Sequence, residues 1–473
     1  MIFIKIYSDT MDYMKITSTN PSRNYEVIGE VEASTREDVI DVVKRARQAQ
    51  QSWAELSIAK RCEIMMSFVA ASTRYADELA ECTALETGRP LAGAKADVAA
   101  GIACFEAYIA SAEEALAPKV TKETTSEIHR IYREPWGVIA AICPWNFPFS
   151  NVAWQCGQAL LAGNAVIYKN SEENPLFAQI IAKIITASDL PDGLFAVVYG
   201  DGQVGDWLAH AEGIDKLSFT GSYETGHTIA KIAAERFLPF TGELGGSTPL
   251  IVFDDVELTS DEINTIYIRR FSHSGQFCTS LKRLIVHESK FDEIVEMLTA
   301  IVSTKKIGDA MDKTTDLGPL VAERQVVTLE GQVQDALQKD AKLVAGGKRP
   351  SGLRGAYYMP TILTNVTSDM RVWKEETFGP VLPIVPFKTE EEAIDLANDT
   401  EYGLSAHIFT ADKARFERVA RKLQSGMIAH NQLTYLDAGK NPFGGYKHSG
   451  MGRENGEAGF HDVTQIKIVS AEK

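Results

Sequence analysis

Three side chains in this sequence could share one reaction at a carbonyl carbon. Asn146 stands in Pro144-Trp145-Asn146-Phe147-Pro148, Glu243 opens Glu243-Leu244-Gly245-Gly246, and Cys278 lies in Gly275-Gln276-Phe277-Cys278-Thr279. Proline cannot extend a β-ladder, so the two prolines hold the Asn146 amide at the end of an apolar run. That amide is either an oxyanion donor or a turn residue. Glu243, beside two residues without side chains, is either a cap or a base that a substrate can approach. Cys278 is either a nucleophile in a glycine-opened loop or, like most cysteines, a small buried apolar residue. A donor, a base and a thiol are the parts that acyl chemistry needs, although spacing alone does not bring them together.

A second set of residues could hold a nucleotide. Gly200, Gly202 and Gly205 form a literal G-x-G-x-x-G after an expected strand, but the next strand ends in Phe219-Thr220-Gly221-Ser222 and not in the acidic residue of the dinucleotide fingerprint. A tight turn explains the glycines equally well. Thr220-Gly221-Ser222 offers free backbone N–H groups to a phosphate, or simply a serine N-cap. Two such turns on adjacent strands favour the nucleotide reading over either turn alone.

The elements that must position these residues follow from hydrophobic periodicity. Residues 34–117 repeat apolar positions at helical spacing, beginning at Thr35. From Gly137 the texture changes to short apolar runs, at 137–143, 165–169, 195–199, 216–220 and 249–253, with helical stretches at 175–188, 203–211 and 222–236. This alternation predicts a parallel sheet covered on both faces, with ligands at the carboxyl ends of its strands. A second alternation has strands at 283–287, 406–410 and 427–431 and helices at 291–305 and 412–424. The tail, 464–469, alternates like a strand and is free to join a neighbouring sheet or subunit.

Composition narrows the class. The 473 residues allow several domains, and 45% apolar with 24% charged residues is ordinary for a globular protein. The formal charge of −16 disfavours nucleic acid and anionic membrane as partners, and no run is long enough to span a bilayer. Six cysteines without a C-x-x-C pair read as reduced thiols, hence a cytoplasmic location. His129, His273 and the other histidines lack metal-ligand spacing, so no metal is expected. Met11 and Met14 leave open a later natural start, with residues 1–13 a tail or extension.

With these motifs assembled, the chain closely resembles the NAD(P)-dependent aldehyde dehydrogenase superfamily over about residues 15–470. The resemblance rests on Glu134-Pro135-Trp136-Gly137, the Asn146 segment, Ala162-Gly163-Asn164-Ala165, Phe219-Thr220-Gly221-Ser222, the Glu243 and Cys278 segments, Glu375-Glu376-Thr377-Phe378-Gly379-Pro380 and Asn441-Pro442-Phe443-Gly444-Gly445-Tyr446-Lys447, all in the family's order. It implies an α/β fold: a Rossmann-type cofactor domain (15–118 and 134–242), an α/β catalytic domain (243–440) and a small β oligomerisation element (119–133 and 455–473). Cys278 is implied as nucleophile, Glu243 as general base, and Asn146 as the side-chain half of an oxyanion site completed by the Cys278 N–H. The implied reaction oxidises an aldehyde to its acid through a thiohemiacetal and a thioester.

The implied cofactor contacts are Trp145, Lys169, Glu172, Gly202, Gly221, Ser222, Glu376 and Phe378. A carboxylate at Glu172 accepts ribose hydroxyls and repels a 2′-phosphate, so NAD is expected over NADP. The family commonly has Lys where Ser247 stands. Its succinate-semialdehyde members use arginines where this chain has Trp154 and Ser272, and Arg269 and Arg270 are expected to point elsewhere. Phe149, Trp154, Phe277, Thr279, Tyr435 and Phe443 are the expected substrate lining, mainly aromatic and suited to aliphatic, aromatic or amino-aldehydes. A CoA-acylating enzyme, a succinate-semialdehyde dehydrogenase, an esterase acting through Cys278 and a non-catalytic protein of the same fold are the alternatives. A homodimer or homotetramer is expected.

Overall fold

The computed structural model describes residues 14–434 and 437–473. Tyr435 and the proposed tail at 1–13 lie outside the described residues. Two strands, Lys15–Asn20 and Glu26–Glu32, pair antiparallel and precede four helices: α1 (Arg36–Glu55), α2 (Ile58–Arg74), α3 (Ala76–Thr87) and α4 (Leu91–Ala115). The helical start expected at Thr35 is a reciprocal capping box with Asp38.

The first sheet contains β1 (Val138–Ile142), β2 (Ala165–Lys169), β3 (Phe195–Val198), β4 (Lys216–Thr220) and β5 (Phe240–Glu243). Its parallel order is β3-β2-β1-β4-β5, and Gly450–Met451 adds antiparallel beyond β5. Every residue of β1 and β2 is buried, as a strand covered on both faces requires. The strand order reverses between β1 and β4, which opens a crevice at their carboxyl ends.

The second sheet contains β6 (Thr248–Val252), β7 (Leu281–His287), β8 (Lys342–Ala345), β9 (Thr361–Thr364), β10 (Val381–Phe387), β11 (Ser405–Phe409) and β12 (Met427–His430). Its order is β8-β9-β10-β7-β6-β11-β12, with β8 antiparallel and the other pairings parallel. The run expected at 249–253 therefore opens this sheet and does not belong to the first. The strand that carries Glu243 is β5, and the chain crosses between sheets at residues 244–247.

The terminal strand Thr464–Glu472 pairs antiparallel with Glu127–Pro135 of its own chain, and Lys119–Glu123 completes that three-stranded sheet. Ile466, Ile468 and Val469 remain exposed on the edge strand. No helix among the described residues is long and apolar enough to cross a membrane.

Candidate active site

Between the sheets lies a cavity of about 600 Å³ lined by both. The first sheet contributes turns. After β1, the Cys143 N–H still bonds the Lys169 carbonyl at 3.0 Å, and the prolines then release the chain at Asn146. Asn146 is buried, and its Nδ2 donates to the Gln276 carbonyl at 3.0 Å. That bond uses one of two amide protons and leaves the other for a ligand. Arg89, which sequence reasoning did not single out, donates to the Asn146 carbonyl at 3.1 Å and lies 4.1 Å from the centre of the Phe147 ring.

The second sheet contributes the thiol. Cys278 lines the cavity, just before β7, in a loop whose approach is left-handed at His273 (φ 48°), Ser274 (φ 52°) and Gly275 (φ 72°). Side chains in that conformation cost about 1–3 kcal/mol each and persist only where the surroundings fix them. Here the Ser274 hydroxyl donates to the Gly318 carbonyl at 2.7 Å, and Gln276 accepts from the Val321 N–H at 3.0 Å. Fully buried Arg270 donates to Ser280, Thr377, Gly379 and Val381, tying the Phe378 segment to the thiol loop.

The two glycines after Leu244 have a steric reason. A methyl group on Gly246 would stand 2.6 Å from the Cys278 carbonyl, and one on Gly245 would stand 2.5 Å from a Glu376 oxygen. Their absence lets the crossing segment pass between the thiol loop and Glu376.

Charge around the thiol is arranged in layers. Burial pushes the Cys278 thiol up to about 12; the Lys282 ammonium opposes that rise, while Glu376 and Glu243 add to it. Lys282, fully buried at the start of β7, pairs with Glu376 and lies 5.0 Å from the centre of the Phe378 ring. Glu376 also accepts the Gly246 N–H at 3.0 Å. A lysine inside the apolar run Leu281–His287 was the sequence signal for this pair.

Glu243 ends β5 behind the cavity wall and is not one of its lining residues. Neither carboxylate oxygen has a hydrogen-bond partner. Burial first, and then the neighbouring Glu454 carboxylate, push Glu243 well above the usual carboxylate range, while Arg453 opposes them. Glu454, equally buried and hydrogen-bonded by Gln155 Nε2, is itself pushed up to about 8 by burial and by Asp462. Nothing in its local sequence marks it as a partner of Glu243.

The expected cofactor residues divide into two groups. Trp145, Gly221, Ser222, Glu376 and Phe378 line the cavity. Ser222 caps the helix Tyr223–Glu235, so that helix opens its backbone N–H groups toward the cleft. Lys169, Glu172 and Gly202 sit apart from the cavity, at the carboxyl ends of β2 and β3. Lys169 is buried with its ammonium 3.7 Å from Glu172, and a methyl group on Gly202 would meet nothing within 4 Å. A helix terminus in the cleft, a lysine–glutamate pair one strand along and open space at Gly202 fit an extended dinucleotide.

Among the expected substrate residues, Trp154, Phe277, Thr279 and Phe443 line the cavity, with Trp154 and Phe443 stacked at 6.1 Å. Phe149 does not: it is fully buried and packs on Phe105 in the core, because the first turn of its helix faces α4. Arg269 also departs from expectation, since it lines the cavity, whereas Arg270 points into the protein. Among the described residues no cluster of His, Cys, Asp and Glu could hold a metal ion.

The aldehyde dehydrogenase family model matches residues 7–469. The chain belongs to the aldehyde dehydrogenase family. It is 39% identical over 469 residues to the peroxisomal aminoaldehyde dehydrogenase 1 of Pisum sativum, covering 96% of this chain and 92% of that one. It is 36% identical over 455 residues to the betaine aldehyde dehydrogenase of Bacillus subtilis, covering 94% and 92%. Among solved structures, an NADP-dependent enzyme of E. coli superposes with a TM-score of 0.93 at 33% identity, covering 99% and 97%. The betaine aldehyde dehydrogenase of Staphylococcus aureus in complex with NAD+ gives 0.92 at 31% identity, covering 98% and 93%. The protein is thus an NAD(P)-dependent aldehyde dehydrogenase that oxidises aldehydes, built on the α/β fold of those structures.

Proposed function

We propose that Cys278, Asn146 and Glu243 carry the oxidation, with NAD as the preferred cofactor and water as the acyl acceptor. The supporting observation is the shared cavity: the thiol and the Asn146 amide line one cleft between the sheets, with the Glu243 carboxylate immediately behind its wall. The thiol, pushed up by burial, needs a proton acceptor, and the unpartnered Glu243, whose charge is felt at the thiol, supports that role when ionised. The Cys278 sulfur then forms a bond to the aldehyde carbon, and the carbonyl electron pair moves onto oxygen. The free Asn146 proton and the Cys278 N–H receive that oxyanion, each donor contributing about 2.7–4 kcal/mol. NAD, when bound, would supply the two-electron acceptor that the oxidation of the adduct to a thioester requires. Once Glu243 has passed the thiol's proton to solvent, it takes a proton from water, the water oxygen bonds to the acyl carbon, the C–S bond breaks to regenerate the Cys278 thiolate, and the acid leaves.

Lys169 and Glu172 would hold the adenosine ribose, Ser222 and its helix terminus the pyrophosphate, and Glu376 with Phe378 the nicotinamide end. The Glu172 carboxylate repels a 2′-phosphate, which supports NAD over NADP. The six unpaired cysteines support a reducing compartment, the cytoplasm. The exposed apolar edge of Thr464–Glu472 supports assembly into a homodimer or homotetramer. Incubation with NAD and an unbranched aldehyde, without CoA, is expected to yield NADH and free acid in equal amounts. Acyl-CoA formation as the only productive route would overturn water as acceptor, and a higher kcat/KM with NADP would overturn the cofactor choice.

A further inference from the structure

The turn that joins α3 to α4, Gly88-Arg89-Pro90, reaches both halves of the cleft. Gly88 ends α3 in the left-handed region (φ 73°), and a methyl group on it would stand 2.5 Å from the Pro319 ring. The carbonyl of the adjoining Gly318 accepts from Ser274, on the approach to Cys278, so the turn is wedged against the segment that braces the thiol loop. Arg89 extends from the same turn to the other half. Its buried guanidinium donates to the Asn146 carbonyl and covers one face of the Phe147 ring, while the His273 ring makes T-shaped contacts with Phe147 and Trp145 at 6.1 and 5.9 Å. Asp97, buried in α4, completes the grip: it accepts from the Ser150 hydroxyl at 2.6 Å and from the Phe149 N–H at 3.2 Å, in the first turn of the helix Pro148–Val152. Arg89 and Asp97 face each other as opposite charges. Burial lowers the pKa of the guanidinium and raises that of the carboxyl, and each shift is opposed by the partner.

We propose that Arg89 is a positioning residue for the oxidation: with Asp97 as its counter-charge it fixes the peptide that carries the Asn146 amide, and so the place of that amide's free proton relative to the Cys278 N–H. A buried ion pair adds little stability over apolar side chains of the same size, and neither charge is used in the proposed steps. What the pair supplies is a grip on both ends of residues 146–150, from a turn that also abuts the support of the thiol loop. An oxyanion donor has to be held within about 0.5 Å of its place, and a displacement of about 1 Å costs about a hundredfold in rate. The side-chain amide is tied to the Gln276 carbonyl by one hydrogen bond, so its free proton moves with the backbone that Arg89 holds. The inference rests on the role proposed for Asn146 and adds the group that sets its position.

The test compares kcat/KM for butanal at saturating NAD in the wild type, in Asn146→Ala, in the paired change Arg89→Met with Asp97→Asn, and in all three changes together. The paired change removes both charges, so neither is left buried alone. It is expected to lower kcat/KM by about tenfold to a hundredfold, with the KM for NAD and the rate of Cys278 alkylation by iodoacetamide unchanged. In the Asn146→Ala background the same change should cost less than about twofold, because a residue that acts through another then has nothing left to position. Arg89→Lys, which keeps the charge but not the planar fork, should lose about threefold to tenfold. That loss too should vanish without the Asn146 amide, a comparison that stands even if the paired variant does not fold. A wild-type kcat/KM in the paired variant, or a loss that persists in full in the Asn146→Ala background, would overturn the proposal. Near-normal kcat/KM in Asn146→Ala itself would overturn the role of Asn146 and this proposal with it.

Discussion

Two carboxylates approach the thiol from different parts of the molecule, and their surroundings are opposite. Glu376 reaches the cleft from the segment before β10 and arrives with its Oε1 held by both the Lys282 ammonium and the Gly246 N–H. Glu243 arrives at the end of β5 with no hydrogen-bond partner and with a second buried carboxylate, Glu454, as its neighbour. A paired carboxylate holds its charge and position, which suits the cofactor-holding role proposed for it. An unpartnered one beside a like charge keeps its proton to higher pH and is free to exchange it. The same residue type thus meets opposite surroundings, which suit the two roles proposed for it.

Replacing the group both carboxylates face has the largest effect. Cys278→Ala is expected to abolish NADH formation while the fold persists, measured by turnover and by circular dichroism; near-normal turnover would remove the thiol from the mechanism. Glu243→Gln should lower steady-state kcat by about 10²–10⁴, and acyl-enzyme trapped in the variant would show that water activation is the lost step. The equivalent change at Glu376 should act chiefly on the KM for NAD, and an equal fall in kcat at both sites would erase the distinction.

Smaller effects sharpen the contrast through pH. Glu243 works as a base only when ionised, and burial together with Glu454 raises the pH at which it ionises. Glu454→Gln removes the like charge, so the acidic limb of the thioester-hydrolysis profile should move to lower pH; a move to higher pH would show that Glu454 aids ionisation. Lys282 has the opposite sign, since its ammonium favours the thiolate. In Lys282→Met the pH profile of Cys278 alkylation should shift upward, with partial recovery in Lys282→Arg, and a profile that does not move would leave Lys282 as a support for Glu376 alone.

Much of the site was legible because its residues are marked locally. The prolines around Asn146, the glycines after Glu243 and the Ser222 cap each do their work within a few positions of chain, and their close contacts explain the small residues at each turn. Arg269 and Phe149 were misplaced for one shared reason. Which helical face meets the cleft depends on how the helix lies against its neighbours, and a difference of one residue turns a side chain by about 100°. Thr248–Val252 went to the wrong sheet because a fully buried parallel strand has the same apolar signature in either one.

By itself the sequence determined where strands and helices alternate, which turns close on backbone N–H groups, and which thiol stands in a loop, because these depend on neighbours along the chain. Only the tertiary structure decided which charges meet: Lys282 with Glu376, Glu454 with Glu243, and Arg269 with no acidic partner among the described residues. Electrostatic character is set by burial and by whatever lies within a few ångströms, and across the cleft those groups come from segments far apart in sequence.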